Sequence, residues 1–271
     1  MNTHGKIHRQ NEQTIVAIVP ARLASTRLPN KLLLDLAGKP LIIYTVEQAA
    51  KAKNIRRVIV ATDSVEIQCV VSKYGFEAVL TRAEHQSGSD RIAEVAETLA
   101  ADSIIVNVQG DEPLISPRTI DRAVEAMLTD HSIDIATTCE PIDDTNDVLS
   151  PDVVKVVTDK NDFALYFSRS PVPFPREAVK RHQMLENALN NEPDLLRAFR
   201  KHTGLYVYRR EFLLKYTRLK QTKLEQLEML EQLRALENGA RIKVVEVADG
   251  SIGVDTREDF ERVREILENR K

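Results

Sequence analysis

Hydrophobic residues along this chain fall into two alternating rhythms. Short runs at Thr14–Pro20, Arg57–Asp63, Glu77–Thr81 and Ser103–Asp111 are rich in β-branched residues. Runs of that length and composition predict strands buried on both faces. Between them, Leu41–Lys53, Val65–Tyr74, Asp90–Ala100 and Arg118–Leu128 repeat their apolar residues every three or four positions, which predicts amphipathic helices. Strands alternating with helices point to an α/β fold with a three-layer, Rossmann-like, mostly parallel sheet. Ligands of such sheets sit beyond the carboxyl ends of the strands. The loops after Pro20, Thr81 and Val108 are therefore where chemistry is expected.

The middle of the chain changes character. Asp134–Ile142, Val153–Asp159, Ala164–Arg169 and Gly204–Arg209 read as strands with fewer helices between them, which predicts an inserted antiparallel lobe over about residues 150–220. Pro171, Pro173 and Pro175 break any helix and predict an extended loop. The charged stretch Arg176–Leu196 is read as holding a mobile helix. One long helix is expected over Lys223–Glu237, stopped by Asn238 and Gly239. A strand at Ile242–Val247 and a closing helix at Arg257–Asn269 follow. The whole reads as a disordered leader over residues 1–13 and one domain over residues 14–271 with the inserted lobe.

Composition narrows the partners. The 271 residues are 42% hydrophobic, ample for a packed core, and 29% charged, yet the formal net charge is only −3. No overall basic excess points to nucleic acid, so an anionic ligand must be met by a local cluster of Lys and Arg. The N-terminal MNTHGKIHRQNEQ lacks the apolar core of a signal peptide. No stretch approaches the ~20 apolar residues of a membrane span. A cytoplasmic protein with no membrane partner is expected. Cys69 and Cys139 have no ligand spacing around them and are read as buried structural thiols.

Three loops carry candidate chemistry. After the first strand, Pro20-Ala-Arg-Leu-Ala-Ser-Thr-Arg-Leu-Pro-Asn-Lys31 places Arg22, Arg27 and Lys31 four or five residues apart, a spacing that lets a loop wrap a polyphosphate. It has neither the GxxxxGK[ST] pattern of a P-loop nor GxGxxG. The loop Thr81–Arg91 brings Arg82 and Arg91, with Ser89 or Asp90 able to cap a helix. Asn107-Val-Gln-Gly-Asp-Glu-Pro113 closes a strand with Asp111, a residue suited to Mg²⁺ alongside phosphate oxygens. Taken alone, an Asp-Glu-Pro turn is better explained by an acidic helix start. A second carboxylate, Asp255 in Gly253-Val-Asp-Thr256, makes a metal-assisted nucleotidyl transfer the better reading if the two aspartates meet.

Taken together, PARLASTRLPNK, TRAEHQSGSDR, NVQGDEP, VKVV, ALYFSRSPVP, HTGLYVYR, LEQLEMLEQLR and GVDT resemble the 3-deoxy-manno-octulosonate (Kdo) cytidylyltransferases, within the sugar-nucleotidyltransferase superfamily. The resemblance runs from about Ile15 to Leu267, and HQSGSDR and ALYFSR carry it furthest. It implies an enzyme that joins CMP from CTP to the anomeric 2-hydroxyl of Kdo, releasing pyrophosphate, for lipopolysaccharide synthesis. It further implies Mg²⁺ as cofactor, CTP and Kdo as substrates, and a homodimer. Arg22, Ser25, Arg27 and Lys31 would hold the phosphates; Arg82, Ser87 and Arg91 would hold the cytidine. Asp111 and Asp255 would bind the metal. Gln109, Arg169, His202, Tyr206, Glu225 and Glu228 would line the sugar-acid pocket, although Glu225 and Glu228, three apart, also fit an exposed acidic stripe. Thr203 and Phe174 stand where the family commonly has an aliphatic residue and a Trp. A related acid, 8-amino-Kdo or a sialic acid, stays open as substrate, as do a neutral-sugar nucleotidyltransferase and a non-catalytic nucleotide-binding protein.

Overall fold

The structure, a computed structural model, describes residues 13–23 and 27–269. Apart from Gln13, whose side-chain amide donates to the Asp102 carbonyl at 2.6 Å, the expected leader lies outside the described residues. Strand β1 (Ile15–Ala21) leads through a 3-10 turn at Lys31–Leu33 and a small hairpin, β2 (Asp35–Leu36) with β3 (Lys39–Pro40), into helix α1 (Leu41–Lys51). Then β4 (Arg57–Thr62), α2 (Val65–Lys73), β5 (Glu77–Leu80), α3 (Gly88–Ala96), β6 (Ile104–Asn107) and α4 (Pro117–Thr129) alternate as the two rhythms predict. The middle holds β7 (Ile135–Pro141), α5 (Thr145–Leu149), β8 (Lys155–Thr158), β9 (Ala164–Ser168), α6 (Arg176–His182), α7 (Leu185–Asn191), a 3-10 turn at Pro193–Ala198, and β10 (Arg200–Arg209). The chain closes with α8 (Arg210–Tyr216), α9 (Lys223–Glu228), α10 (Gln232–Glu237), β11 (Ile242–Glu246) and α11 (Arg257–Glu268).

Nine strands form one sheet whose main path runs β11-β7-β10-β6-β1-β4-β5, while β2 and β3 pair apart from it. Strands β6, β1, β4 and β5 are mutually parallel, and β11 is parallel to β7. Strand β10 runs antiparallel between β6 and β7, and the β8–β9 hairpin hangs from it through Lys155 opposite Lys201. The sheet is mostly parallel with antiparallel additions, as expected. Alternation along β1 explains the layering, because successive side chains leave a strand on opposite faces. Ile15, Ala17 and Val19 pack with residues of α1, α4 and α11, whereas Val16 and Ile18 pack with residues of α3, α8 and α10. Each wholly buried aliphatic side chain such as Ile18 contributes roughly 2 kcal/mol of hydrophobic stabilisation.

Several expectations are corrected. The stretch Ser103–Asp111 stops pairing as a strand at Asn107, because the chain must fold back under β1. A Cβ at Gly110 would lie 2.9 Å from the Pro20 carbonyl, so only glycine fits that approach. Strand β10 starts at Arg200 rather than Gly204, continuing past a bulge between Thr203 and Tyr206. Arg176–Leu196 is two short helices and the start of a 3-10 turn. The long helix over Lys223–Glu237 is two helices with a break at Met229, whose backbone is left-handed at φ 53°. That conformation disfavours any residue with a Cβ by about 1–2 kcal/mol. Tertiary bonds override helix propensity there: Arg169 donates from Nε to the Glu228 carbonyl at 2.7 Å and from Nη2 to the Met229 carbonyl at 3.5 Å. Cys69 is exposed on α2, not buried, whereas Cys139 is buried. No helix among the described residues is long and apolar enough to cross a bilayer.

Candidate active site

A cleft of about 380 Å³ opens at the carboxyl ends of β1 and β6, where a parallel sheet is expected to bind ligands. Arg22, Arg27, Lys31, Gln109, Asp111 and Asp255 line it together with Gly88 at the start of α3. Six residues from three separate loops thus meet, and the two aspartates meet on one atom. Lys31 Nζ donates to Asp111 Oδ2 at 2.5 Å, to Asp255 Oδ1 at 2.9 Å and to the Val254 carbonyl at 2.9 Å. Arg27 pairs with the other Asp255 oxygen at 2.9 Å. Burial alone would lower the Lys31 pKa; Asp111 and Asp255 outweigh it and hold the ammonium above the ordinary lysine value. Beside it, burial and the Asp111 charge push the Glu112 carboxyl up to about 7.

Helix α3 begins at the cleft because Ser87 and Asp90 form a reciprocal capping box, each side chain accepting from the other's backbone N–H. Its N-terminal turn adds a favourable field for an anion beside the basic loop. Ser87 itself lines a neighbouring hollow of about 560 Å³ rather than the cleft, as does Glu225. Arg22 reaches toward this loop, with Nη2 3.5 Å from the Gln86 carbonyl. Ser25 lies outside the described residues.

Two residues expected at the nucleotide do not line the cleft. Arg82 is exposed and lies 3.4 Å from Glu94 on α3. Arg91 is completely buried: its guanidinium bonds Asp63 at 2.7 Å, Thr81 at 2.5 Å and the Arg82 carbonyl at 3.3 Å. It braces the ends of β4 and β5 beneath the 81–87 loop and presents no edge to the cleft.

The residues expected around the sugar acid divide similarly. Arg169, Glu228, Ser168 and Tyr166 form one network: Glu228 accepts from Ser168 Oγ at 2.7 Å, from the Arg169 backbone N–H at 2.9 Å and from Tyr166 at 3.4 Å. His202 and Tyr206 lie on β10, with ring centroids 5.4 Å apart, and Phe167 meets His202 edge-on at 4.9 Å. Burial among these rings drives the His202 pKa down to about 3, so the imidazole is neutral at physiological pH. Thr137 Oγ1 lies 2.9 Å from His202 Nε2. Gln109 joins this region to the cleft, its amide lying 3.4 Å from the Gly204 carbonyl in the β10 bulge.

Glu225 departs from its expected role. It is buried, and Arg234 clamps both its oxygens at 2.9 and 2.5 Å in a forked pair. Its Oε2 also accepts from the Thr222 backbone N–H at 3.2 Å, capping α9. An exposed acidic stripe is likewise not formed. Thr203 turns its hydroxyl onto the Thr138 carbonyl at 3.1 Å. Arg234, Lys155 and the need for glycine at position 110 were not among the residues the sequence singled out. Gly110 was legible in the QGDEP turn; Arg234 was not, because nothing in its spacing marks a buried partner.

Residues 16–242 match the family profile described as cytidylyltransferase. The chain is 52% identical over 253 residues to a 3-deoxy-manno-octulosonate cytidylyltransferase of Trichlorobacter lovleyi, covering 93% of this chain and 98% of that one. It is 44% identical over 256 residues to the enzyme of that name from Neisseria meningitidis serogroup A, covering 93% and 98%. Among solved structures, a CMP:2-keto-3-deoxy-manno-octonic acid synthetase complexed with CTP superposes with a TM-score of 0.86 at 39% identity, covering 96% of this chain and all of that one.

Proposed function

Since the chain belongs to the cytidylyltransferase family, among its 3-deoxy-manno-octulosonate enzymes, we propose that it transfers CMP from CTP to the anomeric 2-hydroxyl of Kdo with the residues of its cleft, releasing pyrophosphate. The observation that carries the assignment of residues is the convergence of Asp111 and Asp255 on Lys31 Nζ. Two carboxylates from distant loops share one cationic centre, with two arginines at its edge. Such a donor set fits a divalent cation, for which the lysine ammonium stands in, and Mg²⁺ prefers one or two carboxylates with phosphate oxygens and water. When bound there, Mg²⁺ supplies charge neutralisation at the phosphates and lowers the pKa of an attacking hydroxyl.

The chain's own residues account for the rest. Arg22, Arg27 and Lys31 bind the triphosphate and stabilise the charge that collects on departing pyrophosphate. Ser87 and the first turn of α3 steady the nucleotide end. Arg91 acts beneath, through the loop it braces. On the sugar side, Arg169 is the group for the acid. Three of its five N–H donors are spent on the carbonyls of Glu228, Pro151 and Met229, which leaves one on each terminal nitrogen. A guanidinium with a donor left on each terminal nitrogen can offer a carboxylate two parallel bonds. Neutral His202, Tyr206, Gln109 and Glu228 offer partners for sugar hydroxyls, and Glu225 supports the pocket through Arg234. Transfer itself needs no covalent nucleophile: alignment of the 2-hydroxyl with the α-phosphorus provides the acceleration.

The protein acts as a homodimer in this reading. Support comes from five large apolar side chains left exposed in and near the lobe: Leu165, Phe174, Met184, Leu227 and Met229, each 59–75% exposed. It works in the cytoplasm, where CTP is made, in keeping with two free cysteines. The test is product identification: with CTP, Kdo and Mg²⁺, mass spectrometry finds CMP-Kdo and equimolar pyrophosphate. Equal turnover with UTP, or a preference for 8-amino-Kdo or a sialic acid, would reassign the substrate.

A further inference from the structure

Lys155 is the largest charged side chain sealed in the lobe, and nothing in the transfer reaction calls for it. Its side chain is 0% exposed. No carboxylate lies within ion-pair distance of it among the described residues; instead, all three ammonium donors go to main-chain carbonyls. It donates to Ser150 at 2.8 Å, to Val153 at 2.6 Å and to Arg169 at 2.6 Å. A buried charge without a counter-ion is costly unless every donor is satisfied. Here satisfaction is complete, and it comes from two segments that otherwise diverge: the 150–153 turn before β8, and the end of β9.

The third carbonyl matters most. Arg169 is held at its carbonyl by Lys155, at its N–H by Glu228 and at its guanidinium by Pro151, Glu228 and Met229. Pro151 lies inside the turn that Lys155 also holds. The left-handed elbow at Met229 has its carbonyl on the same guanidinium. One ammonium therefore fixes both the backbone that carries Arg169 and the turn against which its side chain rests. A neutral side chain of similar length would fill the space yet leave three carbonyls buried without donors.

We propose that Lys155 is a positioning residue for the sugar-acid half of the reaction: through the 150–153 turn and the Arg169 carbonyl it aims the Arg169 guanidinium at the substrate carboxylate, without touching substrate. The inference rests on the sugar-acid role assigned to Arg169. It separates Lys155 from the nucleotide half, since none of its contacts reaches the cleft residues Arg22, Arg27, Lys31, Asp111 or Asp255.

The experiment compares wild type, Lys155→Met and Lys155→Arg as full-length proteins, by initial rates over a grid of CTP and Kdo concentrations with Mg²⁺. Thermal melting confirms folding. Lys155→Met raises KM for Kdo by about tenfold or more and leaves KM for CTP within about twofold. Lys155→Arg keeps the charge but cannot direct three donors onto the same carbonyls, so it shifts the same KM less. In Lys155→Met, hydrogen exchange quickens at the Arg169 and Leu230 amides, whose acceptors, the Glu228 carboxylate and the Glu225 carbonyl, flank the elbow. A parallel rise in both KM values, or no rise in either with the protein folded, overturns the positioning role. Failure of wild type to turn over Kdo at all overturns the functional reading itself, and the two failures are told apart in the same grid.

Discussion

In the cleft, Lys31, Asp111, Asp255 and Arg27 neutralise one another side chain to side chain at the rim of three loops. In the lobe, Lys155 and Arg169 spend their charge on main-chain carbonyls. The contrast follows from what each region has to do. Cleft charges satisfied by each other can be handed over when an anion and a cation arrive together, because the ligand supplies the same signs. Lobe charges satisfied by backbone cannot be exchanged in that way, so they hold a shape. In the proposed reaction the first arrangement would trade partners on binding, whereas the second would prepare a fixed fork for one carboxylate.

Breaking the cleft produces the largest effect on rate. Asp111→Asn removes one of two carboxylates on the shared centre and lowers kcat by about 10³-fold, roughly 4 kcal/mol in the barrier. Lys31 keeps Asp255 as a partner, so the melting temperature of the ligand-free protein changes little. Steady-state rates and a melting curve on the same preparation check both halves. A stability loss matching the rate loss would place Asp111 in a structural role instead.

The buried pair joining α9 to α10, next to the lobe, breaks in the opposite sense. Glu225→Ala removes the forked partner of the Arg234 guanidinium, a pair whose side chains are only 6% and 8% exposed, and leaves it the longer 3.7 Å contact with Glu231. Stability falls by about 3 kcal/mol, as breaking a buried pair does. Chemical denaturation reads this directly. Preserved stability with loss of sugar binding would restore Glu225 to the pocket wall.

A smaller effect sharpens the same contrast through pH. The folded His202 pKa lies at about 3, below the ordinary 6.5. Below pH 6.5 the unfolded chain takes up a proton that the folded chain refuses until about pH 3. The His202 contribution is therefore complete above pH 6.5 and is lost as pH falls toward 3. Between pH 7 and pH 5 this amounts to at most about 2 kcal/mol. Urea unfolding of wild type and His202→Gln at both pH values checks it; an equal change with pH in the two proteins would show that the aromatic surroundings do not depress the His202 pKa.

The smallest effect concerns sugar choice. Thr203 faces Thr138 in the sheet, so Thr203→Val leaves the ratio of kcat/KM for Kdo and 8-amino-Kdo within about twofold. A larger change in that ratio would bring position 203 back into the pocket.

The cleft was legible in the sequence for a physical reason. Its ligand-facing groups sit on loops at strand ends, where apolar periodicity stops and charged residues stand out. Arg22, Arg27, Lys31, Gln109, Asp111 and Asp255 all converge as their loops suggested. Buried charges were less legible because, in sequence, they look like exposed ones. Arg91 and Glu225 carry the same residue types as ligands, yet both are consumed by buried partners in α3's foundations and in α10. The break at Met229 was hidden for the same reason. LEQLEMLEQLR has helical period throughout, and only long-range bonds from Arg169 turn it.

Arg169 stands where the two regions meet in function, and Arg169→Lys tests the division between them most directly. Lysine keeps the charge but loses the planar fork. Initial rates measured over a grid of CTP and Kdo concentrations should show KM for Kdo raised by about tenfold or more, with KM for CTP unchanged within about twofold. A matching rise in KM for CTP, or an unaltered KM for Kdo, would contradict an exchangeable phosphate cleft paired with a fixed sugar-acid fork.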